Sequence, residues 1–154
     1  MKKTTLSLLL LATLSFTVEA YDKDQAQNLA KFYAGFNQKA LADSKLFIKA
    51  PDMLKLIREK KEYLLLDVRT TGEHSVLALS DKNAMHIEIK DLFEAKNLEK
   101  LPTDRPIVVA CHSGTRGIMA ALNLKQIGFK NVQVLKGGLM ALAEANTVKN
   151  APLR

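Results

Sequence analysis

The chain contains one cysteine in 154 residues. A single thiol excludes an intramolecular disulfide, so Cys111 is either an apolar filler of the core or a reactive group. Basic residues are in excess, with a net charge of +7, but they form no long run and are not interleaved with aromatic residues. Because a nucleic-acid platform needs such a pattern, we expect no nucleic-acid partner. The excess charge fits solubility, or mild steering of a small anion.

Long apolar runs are equally scarce. The run from Leu6 to Val18 is shorter than the roughly 20 residues that a membrane-spanning helix needs. Lys2 and Lys3 precede it, and Val18-Glu19-Ala20 has the character of a cleavage site. We therefore predict a secretory signal peptide over residues 1–20, export to the periplasm of a bacterium, and no stable membrane insertion after cleavage.

Repeats, proline-rich linkers and low-complexity tracts are also missing from the sequence. One domain after the signal peptide accounts for the length. Before that domain, apolar residues between Asp22 and Asp43 recur at spacings of three and four, which predicts one continuous helix. We assign residues 21–45 to a helical extension and residues 46–154 to the domain. The helix packs on the domain, or alternatively on a partner or a second copy.

Three mainly apolar segments predict strands buried on both faces, as in a parallel sheet covered by helices: Tyr63 to Val68, Ile107 to Ala110, and Val132 to Leu135. Weaker strand candidates are Leu46 to Ile48 and Ala84 to Ile89. The alternating segments between them predict helices at Pro51 to Lys61, Asp91 to Phe93, and Arg116 to Ile127, the last with Gly128 as a left-handed cap. This order indicates an α/β layer structure with a mainly parallel sheet.

Cys111 directly follows one of these strands, and a helix begins near Arg116. Ligands bind beyond the carboxyl ends of strands in such sheets. Backbone N–H groups of a loop between a strand and a helix can surround an anion, and Gly114 tolerates the dihedral angles that this needs. A thiol there, close to a helix N-terminus and to Arg116, should be stabilised as the thiolate.

Three motifs in this order resemble the rhodanese family. They are Cys111-His112-Ser113-Gly114-Thr115-Arg116, the earlier Leu66-Asp67-Val68-Arg69 with Glu73 downstream, and the later Val134-Leu135-Lys136-Gly137-Gly138-Leu139. The resemblance covers roughly Leu46 to Ala145. It implies a three-layer fold in which helices flank a mainly parallel sheet of about five strands, and it implies sulfurtransferase chemistry without a metal or another cofactor.

The resemblance also implies roles for individual residues. Cys111 would be the nucleophile that carries sulfur as a persulfide, taking it from a small anionic donor such as thiosulfate and passing it to a thiol or to cyanide. Arg116 would bind the donor anion and help to hold the loop. Backbone donors for the sulfur and the substrate would come from His112, Ser113, Gly114 and Thr115. Asp67 and Arg69 resemble a structural pair under the site, with Arg69 a candidate for the pocket rim.

One segment departs from the family's pattern. From Val76 to Asn83 the chain lacks the usual Gly-His-Ile-Pro-Gly-Ala type of sequence. We expect Val76, Leu77 and Leu79 to be buried in the core; the alternative is an exposed apolar patch for a partner.

Two rival functions differ from a sulfurtransferase that turns over. A cysteine-dependent phosphatase or arsenate reductase has five residues between its cysteine and arginine, whereas four separate Cys111 from Arg116. A persulfide carrier or partner-binding module would keep the same loop and deliver sulfur to a protein acceptor. The spacing of His74, His86 and His112 suits no metal site, so we expect no metal.

Overall fold

The computed structural model describes residues 20–147. All of the predicted signal peptide except Ala20 lies outside the described residues. Contacts divide the chain into two units, one ending at Ala34 and the other beginning at Gly35. Within residues 20–147, no helix combines the length and the apolar character that crossing a membrane requires.

The helix predicted from Asp22 to Asp43 is in fact two helices. The first unit contains α1, Lys23–Ala34. The second unit begins with Gly35 and contains α2, Gln38–Asp43. Two local features explain the break, because glycine disfavours helix continuation and the side-chain oxygen of Asn37 accepts a hydrogen bond from the N–H of Ala40 at 2.9 Å, which starts a new helix.

The second unit is built on a five-stranded sheet in the order β1-β5-β4-β2-β3. Each strand pairing in it is parallel. The strands are β1 (Phe47–Ile48), β2 (Leu64–Asp67), β3 (Ala84–His86), β4 (Ile107–Ala110) and β5 (Val132–Leu135). All residues of β2 and β4 are buried, as their mainly apolar sequences predict. The predicted strands and the predicted parallel sheet are confirmed.

Helices cover both faces of this sheet. They are α3 (Ala50–Arg58), α4 (Thr71–Val76), α5 (Ala95–Leu98), α6 (Thr115–Gln126) and α7 (Gly138–Ala145). One core cluster joins Leu66 and Val109 to α6, and the other joins Leu65 and Val108 to α3 and α7. Successive strand residues therefore point into opposite clusters, which gives the predicted three-layer fold.

Several helix ends differ from the sequence prediction. The helix predicted to reach Lys61 ends at Arg58. Lys60 has a φ of 52°, and a right-handed helix cannot continue through a residue with a positive φ. The short helix predicted at Asp91 to Phe93 is wrong, since these residues form a turn and α5 begins only after Glu94. The predicted left-handed cap at Gly128 is confirmed by its φ of 112°.

The prediction that Val76 and Leu77 belong to the core is wrong. Val76 is 87% exposed and Leu77 is 57% exposed. The helix α4 ends at Val76, and the backbone oxygen of Leu77 accepts a hydrogen bond from Arg69 Nη2 at 2.6 Å. This bond directs the backbone of Leu77 inward. Leu79 does pack on the core, as predicted, against the cluster that contains α3 and α7.

Candidate active site

Cys111 lies at the carboxyl end of β4, and its side chain is buried, with 1% of the residue exposed. The N–H of Gly114 donates a hydrogen bond to Sγ of Cys111 at 3.1 Å. Gly114 adopts a φ of 107°, which a residue with a side chain reaches only under strain. The loop therefore folds back so that a backbone donor faces the sulfur, as the sequence predicts for Gly114.

A helix begins immediately after this loop. The first residue of α6 is Thr115, and the carbonyl oxygen of Gly114 accepts the N–H of Ile118 at 3.0 Å. The thiol thus lies near the positive end of a 12-residue helix. His112, Ser113 and Thr115 are exposed at the mouth of the loop, and their roles as backbone donors remain predictions.

The loop is also held from the side of α7. The N–H of Leu139 donates to the carbonyl oxygen of Cys111 at 2.8 Å, and the N–H of Met140 donates to that of His112 at 3.2 Å. Gly138 permits this approach: its φ is 63°, and a Cβ there would lie 2.4 Å from both carbonyl oxygens. The sequence prediction gave Gly138 no role. The sequence feature that could have indicated this close approach is the pair Gly137-Gly138 after a buried strand.

Arg116 forms an ion pair with Glu73 that contains two hydrogen bonds. Its Nη1 donates to Oε2 of Glu73 at 2.6 Å, and its Nη2 donates to Oε1 at 2.7 Å. These bonds, with a further one from the backbone N–H of Thr70, hold the pKa of Glu73 far below its usual range. Glu73 also raises the pKa of Arg116, and interaction with Cys111 adds a smaller contribution. The pair links the first turn of α6 to α4. The roles of Arg116 in holding the loop and in binding the donor remain predictions.

Glu73 is itself fixed by the start of α4. The hydroxyl of Thr70 accepts the N–H of Glu73 at 3.2 Å, while the Glu73 carboxylate accepts the N–H of Thr70 at 3.0 Å. This reciprocal arrangement is a capping box. Sequence reasoning placed Glu73 in a family motif but assigned it no function. Its spacing of three residues from Thr70 was the signal for the cap, whereas nothing in the sequence pairs it with Arg116.

Arg69 lies in the interior, which corrects its prediction as a rim residue. Only 3% of it is exposed, and its Nε and Nη2 donate to the carboxylate of Asp67 at 2.9 and 2.7 Å. Burial opposes ionisation of Asp67, but the hydrogen bonds from Arg69 outweigh it and keep the pKa of Asp67 below its usual value. The guanidinium is thereby committed to a buried structural pair, as the resemblance implied for Asp67.

Two histidines stack beside this pair. The rings of His74 and His86 are 4.2 Å apart and inclined by 10°. Nδ1 of His74 lies 3.2 Å from Oδ2 of Asp67, and Nε2 of His86 lies 2.9 Å from the carbonyl oxygen of Arg69. Each imidazole directs one nitrogen to a protein acceptor, which fixes the ring and gives it a structural function.

The model of the rhodanese-like domain family matches residues 50–145. The chain belongs to the rhodanese family.

Relatives of this rhodanese include proteins named as sulfurtransferases. It is 29% identical over 87 residues to one from Allochromatium vinosum, covering 56% of this chain and 78% of that protein. It is 35% identical over 94 residues to YtwF of Bacillus subtilis, covering 61% of this chain and 86% of YtwF. In longer relatives the chain matches 28% or less of the full length. These likenesses support sulfur transfer as the general activity.

A solved structure supports the fold. The rhodanese-related protein from Thermoplasma volcanium is 30% identical, with a TM-score of 0.54, over 64% of this chain and 90% of that chain. The predicted family and fold class are therefore confirmed. In this rhodanese, the site brings together a buried thiol, a backbone donor aimed at it, a helix N-terminus and a fixed guanidinium. Such a site is suited to a sulfur nucleophile and to an anion that reacts with it.

Proposed function

We propose that this rhodanese transfers sulfane sulfur from a donor such as thiosulfate to a thiophilic acceptor, and that Cys111 carries the sulfur as a persulfide. One observation supports this most strongly. The N–H of Gly114 lies 3.1 Å from the buried Sγ of Cys111, at the start of α6. A donor in that position stabilises a thiolate and, after loading, the negative charge of a persulfide.

The reaction has two halves. In the first, the Cys111 thiolate attacks the outer sulfur of thiosulfate; a new S–S bond forms as the S–S bond of the donor breaks, and sulfite leaves with the electron pair. In the second, a thiolate or cyanide attacks the terminal sulfur, the Cys111 thiolate leaves, and the product is a new persulfide or thiocyanate. Both steps are nucleophilic displacements at sulfur, and electrons balance without an external oxidant or reductant.

The surrounding residues would support these steps in different ways. Backbone N–H groups from His112 to Thr115 would bind the donor anion and the terminal sulfur. Arg116 would keep the loop closed through Glu73 and add positive charge near Sγ. No step requires a metal or an organic cofactor.

A persulfide carrier that serves a protein acceptor is the second candidate. The exposure of Val76 and Leu77 favours it, because adjacent exposed apolar side chains are typical of surfaces that meet another protein. In this case Cys111 would be loaded once and would wait for its partner.

Turnover separates the two candidates. An enzyme releases many equivalents of sulfite from thiosulfate in the presence of cyanide, and a Cys111→Ser variant releases none. A carrier releases about one equivalent and then stops. Failure of the wild-type protein to release any sulfite, and to gain any sulfur from other sulfane donors, would contradict both candidates.

Export is a separate part of the proposal. It is supported by the sequence of residues 1–20, with Lys2 and Lys3 ahead of the apolar run and Val18-Glu19-Ala20 as the predicted cleavage site. Mass spectrometry of the protein from a periplasmic extract should give a mature form that begins at Tyr21. Recovery of the uncleaved chain in the cytoplasmic fraction would argue against export.

A further inference from the structure

A cavity of about 330 Å³ lies at the amino ends of β4 and β5. Pro106 and Asn131, which line it, come immediately before these strands. Cys111 follows the opposite end of β4, and a four-residue strand spans roughly 13 Å. The cavity is therefore separate from the sulfur-transfer site, although its volume is within the range of small-ligand pockets.

Positive charge dominates the lining of this cavity. Lys45, Lys125 and Lys130 line it, together with one carboxylate, that of Asp43. This carboxylate is already paired with Lys39 at 2.6 Å. Within the described part of the chain, the three lining lysines form no ion pair with a carboxylate. Three lysines along one cavity give it a positive potential that attracts an anion.

Lys125 is the most constrained of the three. It is in the last turn of α6 and is half-buried, and its Nζ donates to the carbonyl oxygen of Lys130 at 3.2 Å. An ammonium has three donors, so two remain for a ligand. Partial burial removes water from the ammonium group and lowers the pKa of Lys125. An anion in the cavity would compensate for the lost hydration.

The walls are held in place by contacts on either side. Nε2 of Gln133 donates to the carbonyl oxygen of Lys45 at 2.9 Å, and the N–H of Ile107 donates to that of Asn131 at 2.8 Å. The hydroxyl of Ser44 and the amide of Asn131 add neutral donors to the lining. The site thus offers several donors on a fixed frame, an arrangement suited to an oxyanion with several oxygen atoms.

We propose that Lys45, Lys125 and Lys130 form a binding site for a phosphate group carried on a small organic molecule. The cavity has room for a phosphate ester rather than for a bare oxyanion alone. A soluble phosphate ester and the headgroup of an anionic phospholipid share this chemistry. The site is independent of the sulfur-transfer reaction.

Calorimetric titration of the full chain at low salt tests the proposal, with glycerol 3-phosphate and with vesicles of phosphatidylglycerol or phosphatidylcholine as probes. We expect saturable binding of glycerol 3-phosphate with a Kd of about 1 mM or lower if the ligand is soluble. Binding to phosphatidylglycerol vesicles but not to phosphatidylcholine vesicles identifies a lipid headgroup instead. Absence of saturable binding to either anionic probe overturns the proposal.

Matched variants locate the site. Lys125→Gln should weaken binding by about fivefold or more, and Lys130→Gln, a change at an exposed side chain, provides a second test that should not affect folding. Lys55→Gln removes the same charge from α3 and should change the affinity by less than about twofold. Equal weakening by Lys55→Gln and Lys125→Gln would mean that only net charge matters, which contradicts a site. Sulfur loading of Cys111 should be unchanged in all three variants.

Discussion

Replacing Glu73 with glutamine tests how the loop around Cys111 is held. Glu73 accepts two hydrogen bonds from Arg116, at 2.6 and 2.7 Å, and glutamine cannot accept both because one of its terminal atoms is an NH2 group. The capping box at Thr70 should survive, since glutamine fills this position as well as glutamate does. The variant therefore removes the ion pair while it preserves α4.

The size of the effect follows from the burial of the pair. Side-chain exposure is 30% for Arg116 and 34% for Glu73, between that of a surface pair and that of a buried one. Exposed pairs contribute about 0–1 kcal/mol, and hydrogen bonds to charged groups contribute about 1.5–3 kcal/mol. We expect Glu73→Gln to lower the free energy of unfolding by about 1–2 kcal/mol. The corresponding decrease in Tm is about 3–8 °C.

Sulfur-transfer activity should fall when the loop around Cys111 is held less firmly. If Arg116 acts by fixing the loop, Glu73→Gln should lower kcat/KM for sulfite release from thiosulfate by about tenfold, or 1.4 kcal/mol in transition-state stabilisation. Glu59→Gln is the matched control, because it removes a surface carboxylate that lies 3.8 Å from Lys55. A rise in kcat/KM on Glu73→Gln would refute this reasoning, since it would mean that Glu73 withholds Arg116 from the donor.

The same ion pair has a defined pH dependence. The pKa of Glu73 in the folded protein is far below its ordinary 4.5. A carboxylate with a depressed pKa stabilises the fold above its unfolded pKa, and this contribution is lost as the pH falls toward the folded pKa. The difference in unfolding free energy between wild type and Glu73→Gln should therefore be constant from pH 7 to about 5 and should decrease below about 4.5. Urea unfolding across this range measures it, and a difference that grows at low pH would contradict the assignment.

Two further predictions concern packing around the loop and the divergent segment. Gly138→Ala should destabilise the protein by more than about 2 kcal/mol, because the new Cβ would lie 2.4 Å from the carbonyl oxygens of Cys111 and His112; unchanged thermal unfolding would contradict the observed approach. Val76→Ser should change the unfolding free energy by less than about 0.5 kcal/mol, since Val76 is exposed, whereas Leu79→Ala should lower it by about 1–2 kcal/mol. Equal effects at the two positions would show that Val76 is buried in solution.

The sheet was predictable from the sequence because its signal is local. The segments that form β2, β4 and β5 are mainly apolar, with Asp67 and Gln133 as the polar members, and a strand covered on both faces needs such a composition. The position of Cys111 followed from the same pattern, since the residue after a parallel strand lies at the edge where ligands bind. The apolar pattern does not predict the break at Gly35, because the helical spacing of apolar residues continues across it.

The contacts that hold the site depend on residues distant in sequence. Arg116 and Glu73 are 43 positions apart, so no local pattern pairs them. The exposure of Val76 depends on where α4 ends and on how Arg69 binds the backbone of Leu77, which composition does not reveal. The function of Gly138 likewise comes from the close approach of α7 to the loop, a tertiary contact.

Whole-protein mass spectrometry after exposure to thiosulfate tests the central claim most directly. We expect a gain of about 32 Da, one sulfur atom, that cyanide or a thiol removes and that Cys111→Ser does not acquire. An unchanged mass in the wild-type protein, or the same gain in Cys111→Ser, would contradict the assignment of Cys111 as the sulfur carrier.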